Sequence, residues 1–300
     1  MDKITLKSDR LTIELLQHGD PTYARTRFDW TGFITGIRLD GKHTFASGES
    51  PNPNHRSSGG MGLCNEFKCD AAYTDAKAGE RFAKFGVGTL LKTSDKPYTF
   101  MEDYPVEPYA CTTNTTPDSA SFALAAQPAV GYAATLNKVV SVKDNALTIG
   151  YAMKNAGDKA ISFREYNHNF VAINARPIGA AYKLHVSYIS QRALDAATPS
   201  LTGIPGGLGV LPGDRPNMMY TMDNGIIDAD TYQWELTHDE EPVGMREISP
   251  FKPVGFAVWG VGHVISPEVF FGARLEPGQS VEWSRKWEFF RVADEMIAGV

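Results

Sequence analysis

Ser280-Val-Glu-Trp-Ser-Arg-Lys-Trp-Glu-Phe-Phe290 decides the fold class. In an extended chain Val281, Trp283, Arg285 and Trp287 share one face, while Glu282, Ser284, Lys286 and Glu288 share the other, because side chains alternate across a strand. The same short, β-branched or aromatic alternation recurs upstream in Leu11-Thr-Ile-Glu-Leu-Leu16, Leu136-Asn-Lys-Val-Val-Ser-Val142 and Ala146-Leu-Thr-Ile-Gly-Tyr-Ala-Met153. Gly, Pro, Asn and Asp break these runs every ten residues or so, which predicts an all-β protein. Asp144-Asn145 between two such runs reads as a tight hairpin turn, since both residues tolerate positive φ. Helical periodicity is confined to two short candidates, Ala71 to Arg81 and Val292 to Ala298.

The chain has 300 residues, 42% hydrophobic and 21% charged, enough for a large core and incompatible with wholesale disorder. Strand patterning is alike on both sides of the two loop-rich stretches, Ala46 to Gly62 and Ala196 to Asn217, so the expectation is one domain over residues 1–300. Long loops of this kind often rim a site on a rigid sheet. The formal charge of -6 offers no basic footprint for nucleic acid. The opening residues lack the apolar run of a secretory signal, and no stretch approaches the roughly 20 apolar residues of a membrane span, so the chain reads as cytoplasmic with no membrane partner. Cys64, Cys69 and Cys111 are odd in number and carry no second pair or histidine cluster, which argues for free thiols over a disulfide framework or a structural zinc. Clustered histidine ligands are absent, so no metal is expected, with carboxylates such as Glu66 and Asp70 left as the groups a divalent ion would take. No glycine-rich phosphate loop is present, so no nucleotide cofactor is expected.

Two segments carry chemistry. In Asn155-Ala-Gly-Asp-Lys-Ala-Ile-Ser-Phe-Arg-Glu-Tyr-Asn-His-Asn-Phe-Val-Ala-Ile173, a strand ends near Asn155, turns through Gly157-Asp158 as a hairpin, and a second strand climbs through Arg164 to Asn169. Six successive polar or amphipathic side chains demand a polar surrounding on at least one side, which a cleft would supply. On pattern alone His168 is an ordinary hydrogen-bonded histidine at a sheet edge. In Ile265-Ser-Pro-Glu-Val-Phe-Phe-Gly-Ala-Arg-Leu-Glu-Pro-Gly-Gln279, Glu268 starts a very apolar strand, where a carboxylate is costly to bury unless paired. Its plain reading is a solvated strand-end carboxylate.

Asn167-His168-x-Phe170 resembles the Asn-His-x-Tyr-Phe motif of the aldose 1-epimerase, or galactose mutarotase-like, superfamily. The Glu268 strand, followed by Leu275-Glu-Pro-Gly and a terminal aromatic strand, is similar to that superfamily's C-terminal general-base region, and the resemblance covers most of the chain from Thr31 onward. It implies a large antiparallel β-supersandwich with a sugar-binding cleft on one concave sheet. It also implies an isomerase that interconverts sugar anomers without a cofactor, with Glu268 as base and His168 as acid on opposite sides of one hollow. An ionised carboxylate within about 4–6 Å would keep the imidazole protonated near neutral pH.

The superfamily's simple-hexose mutarotases carry a further histidine on an earlier strand, and here no histidine lies between His55 and His168. Glu66 or Asn65 stands in that region, which directs the expectation toward a modified or unusual sugar. Substrate-binding candidates are Asn167, Glu66, Asn65, His55, Arg56, Tyr166 and His263. Arg25, Arg27, Arg81 and Lys84 are weaker cationic candidates, and Trp30, Trp234, Trp259, Tyr104 and Tyr166 offer aromatic surface for stacking. The competing readings are a carbohydrate-binding protein without turnover and a glycan lyase or hydrolase on the same scaffold, since a scaffold does not dictate its chemistry.

Overall fold

The computed structural model describes residues 3–51, 57–189, 198–212, 218–222 and 229–294. Strands make up most of the described residues and helices very few, as the alternating pattern requires. Every strand pairing is antiparallel. Among the described residues no helix is long and apolar enough to cross a membrane.

Two large sheets pack face to face, with a small third. The front sheet runs Ile4–Lys7, Leu11–Leu15, Ile34–Leu39, Gly62–Lys68, Ile161–Phe170, Val264–Leu275, Gly255–Val261 and Met218–Met222 in spatial order, with His43–Thr44 beside Ile34–Leu39. The back sheet has ten strands, and at its middle Val243–Ser249, Ser280–Arg291 and Ala146–Asn155 lie side by side. A three-stranded sheet, Arg81–Lys84, Gly88–Leu91 and Val106–Pro108, stands in front. The main core between the large sheets is apolar, drawn from residues such as Phe45, Ile149, Val258, Trp287 and Phe289. A second aromatic cluster, including Phe28, Phe33, Tyr73, Phe82 and Phe170, joins the outer face of the front sheet to the small sheet.

Ser280–Arg291 alternates as its sequence dictates, with Trp283, Arg285 and Trp287 buried and Ser284, Lys286 and Glu288 partly exposed. Asp144 takes a positive φ of 51° in the two-residue turn joining Lys143 to Ala146.

Three expectations need correction. Asn155 does not head a hairpin: its strand pairs only within the back sheet, whereas Ile161–Phe170 pairs with Gly62–Lys68 and Val264–Leu275 in the front sheet. The turn through Gly157 is a crossover between sheets. Asn155 pins it, donating to Lys159 and Leu275 carbonyls and accepting from the Gly157 N–H, so the polar residue serves the corner. Within the stretch from Ala196 to Asn217, the described residues 198–212 are not plain loop, because Leu201–Ile204 and Gly207–Val210 form a hairpin around Pro205-Gly206, where Gly206 supplies a φ of +71°. The first helix is realised as Asp70–Asp75, and Arg81 already begins a strand. The second is helical over 292–294, with its remainder outside the described residues.

Candidate active site

His168 sits on a central strand and not on an edge. Its strand is flanked by Gly62–Lys68, which sets Glu66 opposite Tyr166 and Cys64 opposite His168. On the other side the pairing with Val264–Leu275 runs as far as Tyr166 with Phe270 and resumes only at Val171 with Ile265. Pro267 falls inside that gap, where it has no N–H to donate. The carboxamide of Asn169 donates to the Pro267 carbonyl instead. The interrupted ladder leaves His168 and Glu268 level with one another, side chain to side chain.

The two groups are hydrogen-bonded. His168 Nδ1 lies 2.9 Å from Glu268 Oε1, and Ser266 donates to the same oxygen at 2.8 Å. They therefore do not flank an open hollow: the imidazole and carboxylate touch, and their residues are 4% and 5% exposed. The other ring nitrogen, Nε2, lies 3.3 Å from Arg27 Nη2 and 3.4 Å from Glu66 Oε2. Phe28 meets the imidazole edge-on at 5.0 Å between ring centroids, and Phe170 stacks on it at 5.5 Å.

Glu66 gathers the surrounding charges. Its Oε2 accepts from Arg27 Nε and from the Tyr166 hydroxyl, each at 2.8 Å, and Lys84 Nζ lies 3.6 Å from Oε1. Arg27 also donates to Ser58 at 2.9 Å and lies under the half-exposed Phe100 ring, 4.0 Å from its centroid. Burial favours the neutral form of Glu66, yet Lys84 and Arg27 overcome it and hold the carboxyl well below its usual range. For His168 burial favours the uncharged ring, but the field of Glu268 and hydrogen bonds to Glu268 and Glu66 outweigh both burial and Arg27, so its pKa is raised. Burial is likewise the main cause of the lowered Lys84 and of the Tyr166 hydroxyl held well above its usual value.

Of the residues singled out in the sequence, His168, Glu268, Glu66 and Tyr166 come together. Asn65 and Asn167 are corrected to the opposite face: the pleat turns them toward the back sheet, where Asn65 donates to Glu165 at 2.6 Å and Asn167 to Asn169 at 2.7 Å. His263 is at the rim, its Nε2 within 3.0 Å of the Gly48 carbonyl and not in contact with His168. His55 and Arg56 lie outside the described residues. Trp234 is in the inter-sheet core, whereas Trp259 stays partly exposed beside Phe170. Arg27 ranked low in the sequence because it sits in an irregular segment far from both motifs. The one hint was its charge amid the aromatic run Phe28-Asp29-Trp30.

Beside this cluster lies a cavity of about 310 Å³ lined by Tyr23, Arg25, Gly48, Ser57, Gly60 and Met61. Ser58 links its wall to Arg27, and Gly60 packs so close to the Phe170 ring that an added Cβ would fall 2.1 Å from it. Among the described residues no group of three or more His, Cys, Asp or Glu is arranged to hold a metal ion.

No family model and no curated protein matches this sequence. Solved structures do match in shape. A galactose mutarotase related enzyme from Lactobacillus acidophilus superposes with a TM-score of 0.59 at 11% identity, covering 97% of this chain and 98% of its own. A galactose mutarotase-like protein from Lactobacillus casei gives 0.56 at 14% identity over 96% and 100% of the two chains. One from Clostridium acetobutylicum gives 0.56 at 9% identity over 96% and 95%. The superposition over nearly the whole of both chains gives this chain the galactose mutarotase-like fold.

Proposed function

We propose that this protein is an aldose 1-epimerase-like isomerase that interconverts the anomers of a small reducing sugar, one that is modified or unusual, by acid/base ring opening. The observation that carries the reading is the 2.9 Å contact between His168 Nδ1 and Glu268 Oε1 on the outer face of a mutarotase-like sheet, beside a cavity of monosaccharide scale. Opening a cyclic hemiacetal needs one group to take the C1 hydroxyl proton and one to protonate the ring oxygen. Glu268 has Oε1 committed to His168 and Ser266, which leaves Oε2 to accept the hydroxyl proton. His168, whose pKa its carboxylate neighbours raise, donates in its protonated form from Nε2 to the ring oxygen as the bond between C1 and that oxygen breaks. Rotation about C1–C2 and the reverse transfers close the ring on the other face. Both residues end in their starting protonation states. No step calls for a cofactor, and the sugar is the only partner the reaction needs.

Each positioned proton transfer is worth about 10²–10⁴-fold. Polarimetry and saturation-transfer NMR over a panel of neutral, acidic and amino sugars should find one whose anomerisation the protein accelerates, with Glu268→Gln and His168→Ala each losing about 10²–10⁴ of that rate. Full activity in both variants removes the assignment. Binding without turnover is the second reading, favoured by the near-complete burial of both side chains; calorimetric sugar binding with no accelerated anomerisation would select it.

A further inference from the structure

Glu66 stands where a sugar-binding side chain was expected, yet its own chain occupies it. Oε2 takes Arg27 Nε and the Tyr166 hydroxyl at 2.8 Å each, Oε1 faces Lys84, and the residue is 3% exposed. Such a carboxylate has little capacity left for a substrate hydroxyl. What it does face is His168 Nε2. That nitrogen has an acceptor, Glu66 Oε2, at 3.4 Å and a donor, Arg27 Nη2, at 3.3 Å.

A nitrogen flanked by one donor and one acceptor is matched in both of its protonation states. When Nε2 carries a proton it points at the carboxylate; when it has given the proton away, its lone pair accepts from the guanidinium. Both contacts are longer than the 2.9 Å bond on the Nδ1 side, so Nε2 is the end from which a substrate oxygen can draw the proton. Arg27 is anchored independently by Ser58 and Glu66, and Lys84 holds the far oxygen of Glu66, so neither partner has to move as the charge changes.

We propose that Glu66 is a positioning residue which, with Arg27, gives His168 Nε2 a partner before and after it transfers its proton, making this nitrogen the shuttle of the site. The proposal rests on the isomerase reading for its chemical meaning, but its geometry is testable without turnover. The step balances within that reaction: the Nε2 proton passes to the ring oxygen, the C1 hydroxyl proton passes to Glu268, and Glu66 remains ionised throughout. The ionisable groups facing the imidazole are Glu268 from one neighbouring strand, Glu66 and Cys64 from the other, Tyr166 from its own strand, and Arg27 from the preceding loop. Burial pushes the Cys64 thiol and the Tyr166 hydroxyl well above their usual values, which leaves the two carboxylates and the guanidinium to set the charge of His168.

The test is nitrogen-15 NMR of the His168 imidazole as pH is raised, on the whole protein without sugar. In the wild type both nitrogens are protonated below the raised midpoint, and the neutral ring that appears above it carries its hydrogen on Nδ1, with Nε2 bare and facing Arg27. A neutral ring protonated on Nε2 overturns the proposal with no variant needed. In Glu66→Gln the titration midpoint falls by at least about one unit, since one of two carboxylate partners is gone. The alkaline limb of kcat/KM on any accepted sugar shifts with it, while KM changes little. An unchanged midpoint in a folded Glu66→Gln protein also overturns it. Absence of anomerase activity together with the predicted titration would sink the isomerase reading and leave the proton-partner geometry standing.

Discussion

The two faces of the strand Ile161–Phe170 are equally polar and are used in opposite ways. On the outer face Tyr166 and His168 meet Glu66, Glu268 and Arg27 through contacts that include the loose 3.3 and 3.4 Å pair at Nε2, and every one of these residues keeps a trace of exposure. On the inner face Glu165, Asn167 and Asn169 are sealed at 0% exposure. Glu165 receives Arg285 Nη2 at 2.8 Å and Trp283 Nε1 at 2.9 Å; Arg285 reaches on to Glu247, which also takes Trp234 Nε1, and Trp287 Nε1 donates to Asn169. This buried network ties the sheets together directly beneath the site. A buried polar run on a strand therefore does not by itself mark a site. What separates the candidate site from scaffold is whether the groups keep looser contacts and some exposure.

The difference can be broken experimentally. Arg285→Ala should have the largest effect, because it strands Glu165 and Glu247 as unpaired buried charges at a cost of about 3–5 kcal/mol; a fully cooperative thermal melt at the wild-type temperature would refute the scaffold role. Trp234→Phe removes one donor to Glu247 and should cost about 1–3 kcal/mol, read as a lowered chemical-denaturation midpoint with catalytic parameters unchanged. On the outer face the pattern should invert. Glu268→Gln keeps size and a hydrogen-bonding oxygen, so its melting temperature should move far less than that of Arg285→Ala while anomerisation collapses.

The pH response sharpens the same contrast. The folded pKa of His168 lies above its ordinary 6.5, so the stability it draws from Glu268 and Glu66 is fully present below that value and is lost as pH rises through the folded pKa. Melting temperature should decline over that alkaline window in the wild type and decline less in His168→Asn. Smallest in stability is Phe100→Ala: the ring is 36% exposed over Arg27, so the fold should change by less than about 0.5 kcal/mol. A raised KM for the accepted sugar would identify the ring as part of the entrance.

Much of the architecture was legible along the chain because strand alternation is local. Val281 to Glu288 display their two faces in sequence order, and Asp144-Asn145 display their turn chemistry in two residues. His168 and Glu268 stood out through short motifs, and the fold brings the two side chains into contact. The crossover at Asn155 was not, since a turn within a sheet and a turn between sheets share the same Gly-Asp signature and differ only in which distant strand each end pairs with. Arg27 and Lys84 were visible as charges, but their meeting at Glu66 brings together an irregular loop, the small sheet and the front sheet.

The strand class, the principal turns and the residue types able to move protons are readable along the chain, because each depends on a few neighbouring side chains. Long-range packing set which side of the central strand gathers His168, Glu268 and Glu66, the direct contact of the first two, and the placement of Asn65 and Asn167 on the opposite face. The physical reason is the pleat: one residue of register selects the face, and register is set by strands far away in the chain and by the proline that interrupts their hydrogen bonds.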